Sequence, residues 1–185
     1  MTESIPRRIH IVGGPGSGKT MLATRLGELL HVPVFDLDAI AYEGGAGRRR
    51  ELALRRSDAQ RIAQTLGWVT EGIYLWWCES LGERADRIVW LDVPWRVAVY
   101  RILRRHMMLS LAGTNRHPGL KQLARFAWGT RRYYLSAALP PADDNDDGAV
   151  TRATTETWLR SFDTKVIRCR TASDTDEAIA ALGQR

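Results

Sequence analysis

Eight consecutive residues, Gly13-Gly14-Pro15-Gly16-Ser17-Gly18-Lys19-Thr20, combine small residues with one ammonium and one hydroxyl in the spacing G-x-x-x-x-G-K-[ST]. Glycines let backbone N–H groups curl around phosphate oxygens with no side chain in the way. Lys19 then reaches the β- and γ-phosphates of a nucleoside triphosphate, and the Thr20 hydroxyl is placed to hold Mg²⁺. An ordinary Gly-rich turn would leave Lys19 at that spot unexplained. ATP and Mg²⁺ are the ligands this chemistry implies.

Carboxylates come next. Asp36 and Asp38 stand two residues apart at the end of an apolar run, so in extended chain both face the same side. Asp36 is a candidate metal-water ligand or base and Asp38 a candidate acceptor ligand or base; the alternative for both is capping at a strand end. Glu71 is a candidate carboxylate for Mg²⁺ or the attacking group. Asp92 reads as structural, helping the turn at Pro94. Arg101, Arg104 and Arg105 fall at i, i+3 and i+4, so Arg101 and Arg105 share a helix face from which to neutralise phosphate charge. Arg131 and Arg132 can join from a second arm. Arg48, Arg49 and Arg50 either contact an acceptor phosphate or solvate a loop. His106 and His117 are isolated, Cys78 reads as packing, and Trp76-Trp77 can line an acceptor pocket because neighbours on a regular element cannot both face one core.

The elements that must position these groups alternate. Apolar runs at 8–13 (RIHIVG), 32–37 (VPVFDL), 68–72 (WVTEG), 87–93 (RIVWLDV) and 164–169 (TKVIRC) read as strands. Helical spacing occupies 18–30, 51–66, 95–108, 119 to about 139, a stretch around Trp158, and 174–182. Residues 75–85 form a short helix or turn region. Residues 43–50 (EGGAGRRR) form a glycine-arginine loop without core signal, and 143–148 (DDNDDG) reads as a surface turn lacking the spacing of a calcium loop. Strands alternating with helices predict an α/β protein with a parallel sheet, whose ligands sit at the carboxyl ends of strands. Gly13, Asp36, Glu71 and Asp92 all lie at or just past such an end.

Charge is concentrated. The chain of 185 residues carries a formal +6, yet Val93 to Ala142 contains no Asp or Glu and holds nine cations, Arg116, Lys121 and Arg125 among them. The remainder is slightly acidic. This distribution indicates a local anion site built from Arg, which suits bidentate phosphate contacts, or a solvated basic helix face. No apolar run is long enough for a membrane span. The N-terminus lacks a signal-peptide pattern, and two cysteines without ligand spacing fit a reducing cytosol, so a cytoplasmic protein is expected.

GGPGSGKT, VFDLD, WVTEG and VWLDVP followed by RILRR resemble, in that order, the nucleoside monophosphate kinase and shikimate kinase branch of P-loop proteins. The likeness is greatest to adenylate-kinase-like bacterial proteins of the FlaR-type DNA topology modulation group, whose D-G-N-Y and R-x-x-R-R motifs read here Glu71-Gly72-Ile73-Tyr74 and Arg101 to Arg105. The resemblance spans residues 9–183. It implies a three-layer P-loop NTPase fold, a five-stranded parallel sheet of order 2-3-1-4-5, an acceptor-binding helical insert at 39–66, and an Arg-rich lid over 101–139, all in one domain. By the same resemblance Asp36 aids Mg²⁺ and Asp38 holds an acceptor hydroxyl. The adenylate kinase Arg after the third strand is replaced by Ile73, Tyr74 and Leu75, and the Thr-Gly acceptor motif is missing, which argues against a strict AMP kinase.

Two functions follow as expectations. In one, ATP's γ-phosphoryl group passes to a small acceptor, a nucleoside monophosphate or hydroxyl metabolite. In the other, a nucleotide-dependent DNA- or RNA-associated regulator turns over little; no recognition-helix, RNA-binding or zinc motif supports it, and an enclosed Arg lid accounts for the charge equally well. A nucleotide-binding regulatory module is a third, weaker form. Oligomeric state is silent in the sequence.

Overall fold

The computed structural model describes residues 6–115, 119–138 and 140–184. The expectations for Arg116, His117 and Pro118 lie outside the described residues, while the helix expected to run to about Leu139 ends at Leu135, where Ser136 turns extended.

Five strands among the described residues, β1 (Arg8–Gly13), β2 (Val34–Asp36), β3 (Trp68–Gly72), β4 (Arg87–Leu91) and β5 (Val166–Cys169), form one parallel sheet in the order β2-β3-β1-β4-β5. This is the expected topology. Helices α1 (Lys19–Leu30), α2 (Leu37–Ala41), α3 (Leu52–Ala63), α4 (Glu79–Arg84), α5 (Trp95–Leu111), α6 (Leu120–Gly129), α7 (Arg131–Leu135), α8 (Arg152–Leu159) and α9 (Ala172–Gly183) surround it.

The period-2 alternation of the strands explains the layering. On one face Ile9, Ile11, Val69, Val89 and Leu91 pack against Leu22, Leu26 and Leu30 of α1 and Ile179 and Leu182 of α9. On the other, Val12, Trp68, Ile88 and Trp90 meet Leu37 and Ile40 of α2 and Ala59 and Ile62 of α3. A third cluster, Leu75, Val93, Ala98, Tyr133, Tyr134 and Val150, sits beneath α5 and α7. No helix of the described residues is long and apolar enough to cross a membrane.

Two elements depart from their expected form. The second strand stops at Asp36 because the Asp36 carboxylate accepts the Asp38 amide at 2.8 Å, N-capping α2. Asp38 therefore stands in the first turn of a helix, and the extended geometry that would face both carboxylates one way is replaced by capping. The helix expected over 119–139 is broken at Thr130, whose hydroxyl donates to the Ala127 carbonyl at 2.7 Å and accepts from the Trp95 indole at 3.1 Å. The Thr130 backbone itself stays helical, and beyond it Tyr133 and Tyr134 of α7 are buried.

Strand register sets the site. Gly13 lies opposite Leu91, Val12 opposite Gly72, and Asp36 opposite Glu71. Gly13, Asp36, Glu71 and Asp92 thus stand along one edge of the sheet, at the carboxyl ends of their strands.

Candidate active site

The turn between β1 and α1 is built by its glycines. Gly16 and Gly18 adopt φ of +76° and +103°, a region that L side chains rarely enter. A Cβ on Gly16 would also lie 2.7 Å from the Ala98 carbonyl oxygen and 2.9 Å from Ile102. A Cβ on Gly14 would meet Tyr133 at 2.4 Å and Tyr134 at 2.7 Å. Helices α5 and α7 therefore press directly on the turn, and the Tyr134 hydroxyl donates to the Pro15 carbonyl at 3.0 Å. The turn closes on itself through the Ser17 amide to the Gly14 carbonyl at 3.2 Å, and Lys19 Nζ donates to the same oxygen at 3.2 Å. Ser17 Oγ is buried without a hydrogen-bond partner among the described residues. A loop that keeps its backbone open, carries an ammonium and starts a 12-residue helix fits a phosphate group.

Around Lys19 the carboxylates gather. Its ammonium feels Glu71, Asp38 and Asp36, while removal from water pushes its pKa below the usual lysine value. Thr20 Oγ1 donates to Glu71 Oε1 at 2.6 Å. Burial raises the Glu71 carboxyl above its ordinary value, opposed by that hydrogen bond and by Lys19. Among the described residues no three His, Cys, Asp or Glu side chains converge as a preformed metal cluster. Mg²⁺ needs less of a protein, being held by one or two carboxylates plus substrate phosphates and its own waters. Thr20 and Glu71 are the pair that fit it, with Asp36 on the neighbouring strand.

Asp38 has a partner that sequence reasoning overlooked. The Tyr74 hydroxyl donates to Asp38 Oδ1 at 2.7 Å, and Tyr74 itself is buried and packs on Trp77 with ring centroids 4.9 Å apart. Burial, then the Asp38 bond, pushes the Tyr74 pKa up, so the phenol stays a donor. Tyr74 is the last residue of Glu71-Gly72-Ile73-Tyr74, the match to D-G-N-Y, and that motif does not by itself point to Asp38. Trp76 and Trp77 divide between two cores: Trp77 packs on the insert side, while Trp76 reaches the cluster under α5 and donates its indole N–H to the Asp146 carbonyl at 3.1 Å. Cys78 is buried, its thiol pushed up by burial and donating to the Tyr74 carbonyl at 3.1 Å, which fits packing.

The arginines separate into groups. Arg101 Nη1 donates to the Ser17 carbonyl, which places this guanidinium on the phosphate loop. Arg105 instead lines a groove between α5 and α6 with His106, Leu109, Leu123 and Phe126. Arg104 is exposed, and Arg131 is exposed with its guanidinium over the Trp128 ring at 4.9 Å. Arg132 is also exposed. Arg48, Arg49 and Arg50 pair with Glu43, Asp147 and Asp58. Asp92 is structural: buried, it accepts from Arg152 at 2.6 and 2.9 Å and from Arg168 at 2.9 and 2.7 Å, tying α8 and β5 to the end of β4.

No protein-family model matches the chain, and no curated protein sequence does. Solved structures do match. A shikimate kinase from Acinetobacter baumannii in complex with shikimate is 19% identical, with 97% of this chain and 92% of that chain covered and a TM-score of 0.50. A gluconokinase from Sinorhizobium meliloti is 17% identical, with 97% and 93% covered and a TM-score of 0.48. At such identities the likeness is one of architecture, and with the sheet order above it establishes that the chain has the five-stranded α/β fold of P-loop kinases.

Proposed function

We propose that this protein transfers the γ-phosphoryl group of ATP to a hydroxyl of a small metabolite. The observation that carries the reading is Asp38, a carboxylate held by the Tyr74 hydroxyl at 2.7 Å and within electrostatic reach of Lys19 on the phosphate loop. A phosphate cradle alone is compatible with binding; a fixed carboxylate near its lysine adds a base for an incoming hydroxyl.

The amides of the turn, Lys19 and Arg101 hold the triphosphate, and Thr20 with Glu71 holds Mg²⁺. Mg·ATP supplies the electrophilic phosphoryl group. Asp38 orients the acceptor hydroxyl and takes its proton as the oxygen becomes nucleophilic, while Tyr74 keeps the carboxylate aimed. Positioning and charge neutralisation are most of what phosphoryl transfer asks of a protein. Helices α5 and α7, already packed on Gly14 to Gly16, brace one side of the loop.

Coupled ADP release against a panel of polyols, sugars, nucleosides, nucleoside monophosphates and hydroxy acids tests the reading. Stimulation well above the water background by at least one acceptor is expected; none across the panel, with ATP bound, contradicts it. The alternative, a nucleotide-dependent regulator of the DNA topology modulation type, rests on the acid-free cationic stretch 93–142. Duplex retention that survives saturating ATP supports that alternative, whereas loss of retention assigns those cations to the nucleotide pocket.

A further inference from the structure

All six arginines of the insert, Arg48, Arg49, Arg50, Arg55, Arg56 and Arg61, are ion-paired within the chain. The stretch 93–142 instead carries its cations without a single acid. The insert therefore offers an incoming anion no guanidinium that is not already engaged.

Two of these pairs share Asp147. Arg49 Nη2 donates to Asp147 Oδ2 and to the Asn145 carbonyl. Arg55, whose side chain is fully buried, donates to Asp147 Oδ2 at 3.4 Å and to Asn145 Oδ1. The Arg55 guanidinium lies 5.3 Å over the Trp77 ring, Trp77 packs on Tyr74, and Tyr74 holds Asp38. Asp38, Tyr74, Trp77, Arg55 and Asp147 thus form one chain of contacts. A buried guanidinium left unpaired would be severely destabilising, so some carboxylate must occupy this position.

The loop that brings Asp147 there is built to stay. The Asn145 amide donates to Asp143 Oδ1 at 2.7 Å and the Ala142 amide to Asp146 Oδ2 at 3.1 Å, shaping the turn from within. Arg56 pairs with Asp144, and the Trp76 indole holds the Asp146 carbonyl. One helical turn, Asp147–Ala149, then leads into buried Val150.

We propose that Asp147 is a specificity-determining residue: the chain's own carboxylate fills the anion position between Arg49 and Arg55, so the acceptor is a neutral hydroxyl compound and its acidic counterparts are rejected. An anionic acceptor would meet Asp36, Asp38, Glu71 and Asp147 as like charges, while Arg49 and Arg55, which share Asp147, already have a carboxylate partner. The inference rests on the phosphoryl-transfer reading for its acceptor, while the occupancy of the anion position stands independently of turnover.

Two measurements test it. Coupled ADP release is compared for sorbitol against gluconate and adenosine against adenosine monophosphate. In the native chain the neutral member of an active pair should stimulate at least about tenfold more, and in Asp147→Ala that preference should shrink or reverse. Asp147→Asn, which keeps the shape and removes the charge, serves the same comparison if the alanine variant does not accumulate. Preference of the native chain for the acidic member, or an unchanged ratio in both variants, overturns the proposal. In the second measurement, melting temperatures are read without nucleotide in sodium acetate and in sodium chloride at equal ionic strength. The native chain should be indifferent, and Asp147→Ala should melt roughly 10 °C lower in chloride and recover part of the loss in acetate, which enters between Arg49 and Arg55. Acetate recovery without stimulation by any acceptor would retire the phosphoryl-transfer reading while supporting the Asp147 assignment. An alanine variant indifferent to acetate would overturn the assignment whatever the turnover.

Discussion

The Thr20 hydroxyl donates its proton to Glu71 Oε1 at 2.6 Å, across the junction of α1 and β3. A hydroxyl that gives its hydrogen to a carboxylate keeps its lone pairs for a metal ion, and the carboxylate fixes its rotamer. Glu71→Gln keeps an acceptor for that hydrogen and loses the charge; Glu71→Ala loses both. Affinity for Mg·ATP should fall about tenfold in the glutamine variant and up to about 100-fold in the alanine variant. Affinity for ATP in chelator should hardly change. Calorimetric titrations with and without Mg²⁺ check the split.

Tyr74→Phe keeps the ring against Trp77 and removes only the hydroxyl that holds Asp38. A hydrogen bond to a charged group contributes about 1.5–3 kcal/mol, so once an acceptor is in hand kcat should fall roughly tenfold or more. ATP affinity should stay within about twofold, because the phosphate loop is untouched. An unchanged kcat would remove Asp38 from the positioned role given to it here.

Arg101 and Arg105 share a face of α5 and should nevertheless differ in their consequences. Arg101 reaches the Ser17 carbonyl, whereas Arg105 lines the groove beside α6. Arg101→Met should lower kcat by about 100-fold or more, in keeping with an arginine that neutralises transferred-phosphate charge. Arg105→Met should cost less than about threefold. Steady-state kinetics on the two variants separate them, and equal effects would contradict the assignment.

His10 gives the fold a pH dependence of calculable sign. Its imidazole is buried against the Thr70 hydroxyl at 2.8 Å, and burial lowers its pKa from 6.5 to about 4. The unfolded chain binds the proton first as pH falls, so this group's stabilising contribution is complete above about 6.5 and is lost as pH drops toward 4. Between pH 7 and pH 5 the loss is about 2 kcal/mol. Urea unfolding at the two pH values should show that His10→Gln escapes this part of the acid loss. An equal acid loss in the variant would place its origin elsewhere.

The phosphate loop was legible because its chemistry is local: glycines, a lysine and a threonine at fixed spacing between a strand and a helix. The sheet order came from resemblance, and the alternation of strands and helices already required a parallel arrangement. For Asp36 and Asp38 the structure favours the capping alternative over the extended one, because a carboxylate that caps its own second neighbour ends a strand where apolarity would continue it. Thr130 broke an otherwise helical pattern through a side-chain hydrogen bond that periodicity does not register. Asp147 and Asn145 read locally as a surface turn, since their partners Arg49 and Arg55 lie 98 and 90 positions away in the chain. Pairings at that separation depend on topology, which no local pattern encodes. Tyr74 shows the same limit: its partner Asp38, in the first turn of α2, arrives only once β2 and β3 are paired.

Everything assigned to the site depends on the turn between β1 and α1 binding the polyphosphate of a nucleotide. Isothermal titration of Mg·ATP into the native chain and into Lys19→Ala tests this most directly. The native chain should bind with an affinity in the micromolar range, roughly 8 kcal/mol, and the variant should bind at least about 100-fold more weakly while keeping its fold. Absence of binding to the native chain, or equal affinity in the two, would contradict the account.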